Sequence, residues 1–501
     1  MDKSTSFLCW AAIFINLHGE IRSQPIYENY KEDCLKTNRT DSFYKEIYDR
    51  EIVLESYVNT LEKELDICRD APAKTFTSRY TTSGQDLPLG SRGKGFLVLF
   101  MKHYEGTTKN VYVTSEKGVQ INITTSNRLN SSLKLQIDMS LNIPSSHHFI
   151  FPNGIELKSF KREFKSVFIE TSDDVFVVSL DHDDGTADGT TNIPIHKLST
   201  RYVVITIHPT SRKSQLAVAA LENTTTISIR FRMKQYKSLD IEGRVYYNGD
   251  VFNFFLDRFE TYQIAHDTDL TGTFIESSKP VAAFSGSDCG YLGGVGYCDL
   301  VMEQLPPTDT IDKTYIVPPN SHGRGTIIRI TATDISDIYY VIGTVNRTRL
   351  LEKYNFFDIR ISSNQTCYIE STEPILVTGF GLYSDSSSLG DPSMTIVPGI
   401  NQYLNYYKIP IPTGYIHNVV FFMIKESSKA FIRINNAILN AVDIVFEDSL
   451  LVGNITYSVV SILVTQGEFK AFTLDGERFG VMVSGIKRAE AYGFSGNSLL
   501  P

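Results

Sequence analysis

At about 150 residues per domain, a chain of 501 residues has room for roughly three or four domains. Its 42% hydrophobic and 21% charged residues exclude bulk disorder. The 48 Lys and Arg against 57 Asp and Glu give a net charge of -9, which argues against a nucleic-acid binder because the phosphate-neutralising charge is missing.

In chain order, residues 1–23 read as a signal peptide. Lys3 precedes the apolar stretch Phe7–Leu17, and Gly19 and Ser23 offer cleavage points. Seven acceptor triplets, at Asn38, Asn122, Asn130, Asn223, Asn346, Asn364 and Asn454, add to the expectation of a secreted, N-glycosylated protein. No apolar stretch near the C-terminus reads as a membrane span or lipid-anchor signal.

Residues 24–70 form a helical segment by pattern. Tyr44, Ile47, Leu54, Val58, Leu61, Leu65 and Cys68, with Glu51 as the one polar break, fall three and four apart, a seam of about four heptads that is marginal alone. An amphipathic helix lying on its neighbour and a coiled coil that pairs two chains through residues 41–69 both fit. Cys34 and Cys68 are then available for interchain disulfides. Residues 71–92 read as linker.

From Gly93 onward, runs such as Phe96–Phe100, Tyr202–Ile207, Thr226–Phe231 and Val419–Ile424 alternate with turn residues, and Asn153-Gly154 and Asn248-Gly249 are hairpin signals. The body is expected to be all-β. Within it, Val167–Ser179, Thr273–Ser285, Cys367–Gly379 and, more weakly, Phe472–Ser484 align without gaps, placing Ile169, Ile275, Ile369 and Leu474 in register about 100 residues apart. A period of that length predicts one β-sandwich-like repeat per unit, at 93–199, 200–313, 314–400 and 401–496, stacked end to end. A β-propeller with two blades per period is the alternative.

Cys289 and Cys298 bracket a Gly-rich loop and are expected to pair locally; a metal knuckle would need two more ligands nearby. Among Cys34, Cys68 and Cys367 the pairing is open. The acidic run Asp181–Asp188 reads as a solvated inter-strand loop, with oxygen ligation of Ca²⁺ as the alternative. Glu170, Glu276 and Glu370 recur once per repeat, which suits a shared turn role better than catalysis. His147-His148 would point to opposite faces of a strand. The hydrolase, zinc-protease, phosphate-loop and dinucleotide signatures are missing, so no catalytic residue, metal or cofactor is expected. A carbohydrate-active enzyme would need a pair of carboxylates about 5–10 Å apart in a cleft.

The phrase Lys279-Pro280-Val-Ala-Ala-Phe-Ser285-Gly286, followed by Cys298-Asp299 and Glu303-Gln304-Leu305-Pro306-Pro307, resembles the N-terminal domain of the IgGFc-binding protein family. Ser214–Thr225, Gly390–Pro398, Phe479–Gly485 and Tyr492-Gly-Phe494 extend the resemblance over about 93–496. It implies a secreted or mucus-associated module that binds glycoproteins, immunoglobulin Fc or mucins among them, with ligand-contacting residues unknown; a structural extracellular oligomer without Fc binding is the alternative. Larger members carry Cys-dense von Willebrand D-type domains, and this sequence shows none. Gly390-Asp391-Pro392-Ser393 resembles the Gly-Asp-Pro-His self-cleaving turn of those domains, but Ser replaces His, so a structural turn is expected.

Overall fold

A computed structural model describes residues 90–500 apart from 104–106, 184, 210–211, 291, 293–297, 385–386 and 440. They belong to one compact unit, Asp86–Pro501. The signal peptide, the helical segment with its proposed dimer seam at 41–69, Asn38, Cys34, Cys68 and the linker up to residue 89 lie outside the described residues.

The unit is nearly all strand and repeats one topology four times. The strand Val167–Asp183 runs through both halves of a seven-stranded sheet. Its first half lies between Gly93–Val98 and Val119–Thr125, and its second between Thr108–Ser115 and Thr186–Thr191. Phe274–Gly290 does the same in an eight-stranded sheet, first between Ser199–Val203 and Thr225–Arg230, then between Ser214–Ala220 and Asp299–Gln304. In the third repeat this long strand is divided. Cys367–Ser371 lies between Thr314–Val317 and Ser336–Ile342, and Ile375–Ser384 between Arg324–Ala332 and Ser393–Ile396. The fourth divides likewise: Gly467–Thr473 lies between Tyr406–Ile411 and Ile432–Ile434, and Gly480–Lys487 between His417–Lys425 and Glu490–Ser495.

One hydroxyl fixes the point where each long strand changes partners. Thr171 Oγ1 donates to Asp173 O at 2.7 Å, Ser277 Oγ to Lys279 O at 2.7 Å, Ser371 Oγ to Glu373 O at 2.8 Å and Thr473 Oγ1 to Glu477 O at 2.6 Å. A short side chain that satisfies a carbonyl two to four residues on replaces the ladder bond lost at the bend. The gap-free alignment of the fourth segment is therefore corrected. It placed Gly476 opposite these hydroxyls, whereas Thr473 takes their role and the bend beyond it is longer. Glu170, Glu276 and Glu370, just before the hydroxyl, are exposed.

A tyrosine on the first strand of three repeats clamps the two halves together. Tyr202 Oη accepts Ser199 N–H at 2.9 Å and donates to Val281 O at 2.7 Å. Tyr315 Oη accepts Asp312 N–H at 2.9 Å and donates to Ile375 O at 2.6 Å. Tyr407 Oη accepts Leu404 N–H at 3.0 Å and donates to Phe479 O. In the first repeat Phe96 holds the equivalent register, opposite Ile169. Burial pushes all three phenols above their ordinary range.

Each repeat packs one half-sheet toward its neighbours, so that half is buried on both faces. Ser214–Ala220 is buried throughout, which explains the unbroken apolar run Leu216–Ala220 where an outer strand such as Val119–Thr125 alternates. Ala217, Ala219, Ala282 and Phe284 of the second repeat meet Leu97, Leu99 and Met101 of the first. Leu376, Phe380 and Met394 of the third join the core of the second, and Val419, Phe421 and Met423 of the fourth join that of the third. Tyr112, Phe176, Val178 and Leu180 of the first repeat join the core of the fourth.

The all-β tandem-repeat architecture is thus present, but the repeats do not stack end to end. Their contacts close a circuit, because interfaces that share apolar residues leave no free end. The propeller alternative fits only weakly: each repeat packs two half-sheets face to face instead of forming one radial blade.

Candidate functional site

The residues of the Cys298–Pro307 phrase converge on the centre of that circuit. One strand from each repeat reaches it: Thr186–Thr191, Asp299–Gln304, Ser393–Ile396 and Glu490–Ser495. Asp188, wholly buried, accepts one backbone N–H from every repeat. Oδ1 takes Gly189 at 3.0 Å and Gly493 at 3.2 Å; Oδ2 takes Met302 at 3.1 Å and Met394 at 2.9 Å. Burial raises its pKa well above the carboxylate range, against the opposing pull of these four donors.

The motif acids extend this network. Glu303 accepts Thr190 Oγ1 and, at 2.9 Å, Ile396 N–H, linking the first, second and third repeats. Asp299 Oδ1 accepts Ala187 N–H at 2.9 Å and the Thr186 hydroxyl. Gln304 Oε1 accepts Ile193 N–H at 2.9 Å, while its own N–H donates to Thr190 Oγ1 at 2.8 Å. The Thr191 hydroxyl donates to Ser495 O and so ties the first repeat to the fourth. Burial raises the pKa of Asp299 and Glu303 too.

Other motif residues serve the same packing. Ser285 Oγ bridges Ile205 O at 2.6 Å and Ile205 N–H at 3.2 Å. Gly286 is required because a Cβ there would lie 1.8 Å from Val301 O. Leu305, Pro306 and Pro307 are buried. Lys279 and Pro280 sit at the rim, where Lys279 Nζ donates to Asn223 O at 2.8 Å and pairs with Glu222 at 3.3 Å. A disulfide joins Cys289 to Cys298, just before the strand Asp299–Gln304. Cys367 is buried without a disulfide partner, and burial pushes its thiol up.

The Asp181–Asp188 run is a correction. Its two ends, Asp181 and Asp188, are not solvated. Asp181 and Asp188 face each other across a hairpin and both are fully buried. Asp181 pairs with the buried Lys109 Nζ at 2.8 Å, an ion pair that the sequence hides because Lys109 comes from another strand. Asp188 spends its oxygens on backbone N–H groups. A carboxylate surrounded by protein donors has no lone pair left for a cation or a substrate.

Gly390–Pro392 is irregular chain that leads into the strand Ser393–Ile396. Gly390 has φ +76°, its N–H donates to Lys487 O at 2.8 Å, and the buried Arg324 donates through Nη2 to Asp391 O at 2.6 Å. His148 lies on an edge strand, stacked on Tyr112 at 4.2 Å and hydrogen-bonded to Asn110 at 2.8 Å, while His147 is exposed beside Phe149. Asn122, Asn130, Asn223, Asn346, Asn364 and Asn454 are all exposed. No group of His, Cys, Asp or Glu among the described residues has the geometry of a metal site, and no described helix is long and apolar enough to cross a membrane.

The human IgGFc-binding protein is 26% identical to this chain over 251 residues, 50% of this chain and 5% of that protein, so the chain spans a twentieth of its relative. Among solved structures, the major pilin of Streptococcus pyogenes aligns with 80% of this chain and 98% of its own at 7% identity and a TM-score of 0.14. A Ca²⁺-stabilised ice-binding adhesin of an Antarctic bacterium aligns with 82% of this chain and all of its own at 10% identity and a TM-score of 0.11. A family model described as IgGFc binding protein matches residues 188–485, from the central Asp188 to Gly485, and by that match the chain belongs to the IgGFc-binding protein family.

Proposed function

We propose that this chain is a secreted, N-glycosylated, non-enzymatic module that binds extracellular glycoproteins through its outer surface, with immunoglobulin Fc and mucins as the first candidates. The family match over residues 188–485 carries this reading. Two features support it. Asp188 and Glu303 face inward and accept from protein donors, which suits an architectural role. All six described sequon asparagines are exposed, as a glycosylated surface requires. The proposed unit boundaries are 93–199, 200–313, 314–400 and 401–496, with residues 41–69 as a dimerising helix that adds avidity. The test is capture by the immobilised chain of purified Fc and of a mucin-type glycoprotein. Saturable capture of either supports the reading, and capture of neither contradicts it.

A further inference from the structure

The second repeat carries a decoration outside the repeated topology: the hairpin Leu239–Ile241/Arg244–Tyr246, a two-stranded sheet of its own. Additions to a repeated framework are where recognition is commonly placed. The turn leading into this hairpin borders an open cavity of about 370 Å³ lined by His208, Arg212, Lys213, Lys234, Tyr236 and Lys237, with Asp267 as its one carboxylate. Lys213, Lys234 and Lys237 make this a basic cleft in a chain whose net charge is -9.

Asp267 offsets one of these charges, that of Lys237. Lys237 Nζ lies 3.0 Å from one of its oxygens and His266 Nε2 3.4 Å from the other, and Lys237 helps hold the carboxyl below its ordinary value. Lys234 Nζ is 3.4 Å from His208 Nε2, so its near neighbour is another nitrogen. Lys213 binds Asp288 Oδ1 through its backbone N–H at 2.6 Å, which fixes the main chain while its side chain is exposed. Beside the cleft, the His266 ring spans Ser238 O at 3.1 Å and Thr268 N–H at 3.1 Å. At the rim Tyr236 is 77% exposed, an aromatic face with no apolar cover.

We propose that this cleft binds an anionic oligosaccharide, with sulfate esters or carboxylates between the lysines and a sugar ring on Tyr236. Fixed cations recognise the acidic groups, and the exposed ring recognises the apolar face of a pyranose. The volume suits a short oligosaccharide. A nucleic acid is disfavoured by the overall negative charge and the single aromatic platform. The inference deepens the glycoprotein-binding reading by naming the partner's chemistry, and it rests on that reading only for the source of the glycan.

The test titrates the whole chain at low salt with a sulfated hexasaccharide, a sialylated one, their desulfated and desialylated counterparts, inorganic sulfate, and a single-stranded DNA hexamer. The expected result is saturable binding of the sulfated or sialylated sugar, at least about tenfold tighter than its neutral counterpart, and weakening with salt. Lys234→Ala with Lys237→Ala should lower that affinity at least about tenfold, and Tyr236→Ala should lower it without changing the salt dependence. Lys161→Ala, an exposed lysine on another part of the surface, should leave it unchanged. Unchanged binding in the double-lysine variant, with its thermal melt intact, overturns the proposal. So does binding of the neutral sugar, inorganic sulfate or DNA as tightly as the anionic sugar. A chain that binds the hexasaccharide yet captures no glycoprotein contradicts the broader function and leaves the cleft standing.

Discussion

Asp188 Oδ2 accepts the backbone N–H of Met394 at 2.9 Å, a bond between residues 206 positions apart in sequence. The same oxygen accepts Met302 N–H, and its partner accepts Gly493 N–H. One carboxylate thus serves as a common acceptor for strands of all four repeats. Replacing it with Ala leaves buried donors on every strand without a partner. Asp188→Ala is expected to cost about 3–5 kcal/mol in urea denaturation, while Glu170→Ala on the exposed bend stays within about 0.5 kcal/mol. Equal effects of the two would contradict the assignment.

The phenol clamp predicts a repeatable, smaller loss. Tyr315→Phe removes the acceptor of Asp312 N–H and the donor to Ile375 O while keeping the ring in place. Each of Tyr202→Phe, Tyr315→Phe and Tyr407→Phe should destabilise by about 1–2 kcal/mol. Denaturation curves that superimpose on the parent's would show that the hydroxyls do not bridge the two half-sheets.

Cysteine chemistry should separate two environments. Cys289 and Cys298 close a loop with a sequence separation of 9, so chain entropy limits the disulfide's contribution to about 2–3 kcal/mol, and Cys289→Ser with Cys298→Ser should still fold. Cys367 is buried with a raised thiol pKa, so a thiol reagent should label it only after denaturant is added. Labelling of Cys367 in the native protein would place it at the surface.

The buried acids give the unit a defined pH dependence. Burial raises Asp391 to about 7, with the Arg324 charge opposing. Below the unfolded carboxylate pKa the group is protonated in both states and has no effect. Between that value and about 7 the unfolded chain ionises and the folded one resists, so rising pH favours unfolding; above about 7 the penalty is constant. Asp188, Asp299 and Glu303, raised by burial in the same way, add to this slope. The Tm of Asp391→Asn should fall less steeply than the parent's between pH 5 and about 7, compared by calorimetry. Parallel curves would remove Asp391 as a contributor.

Strand character and the repeated bend were legible in the sequence because period-2 patterning and the Glu-Ser/Thr dipeptide are local signals. The phrase from Asp299 to Pro307 stood out as a family mark, yet its role did not, because Glu303 and Asp188 accept from backbone N–H groups of distant strands, which carry no residue signature. The acidic run misled for the same reason: clustered charge suggests solvent, and the compensating Lys109 and N–H donors come from elsewhere. Tyr202, Tyr315 and Tyr407 could have been found, since each occupies the first strand of its repeat. The cationic cleft joins Lys213, Lys234 and Asp267 from three segments and was not visible as a motif.

The most direct test of the closed circuit is hydrogen exchange on Asp188→Asn, read at Thr186–Thr191, Asp299–Gln304, Ser393–Ile396 and Glu490–Ser495. A shared junction predicts that all four strands lose protection together, with Met302, Met394 and Gly493 amides among the most affected. Loss confined to Thr186–Thr191, with the other three strands as protected as in the parent, would contradict it.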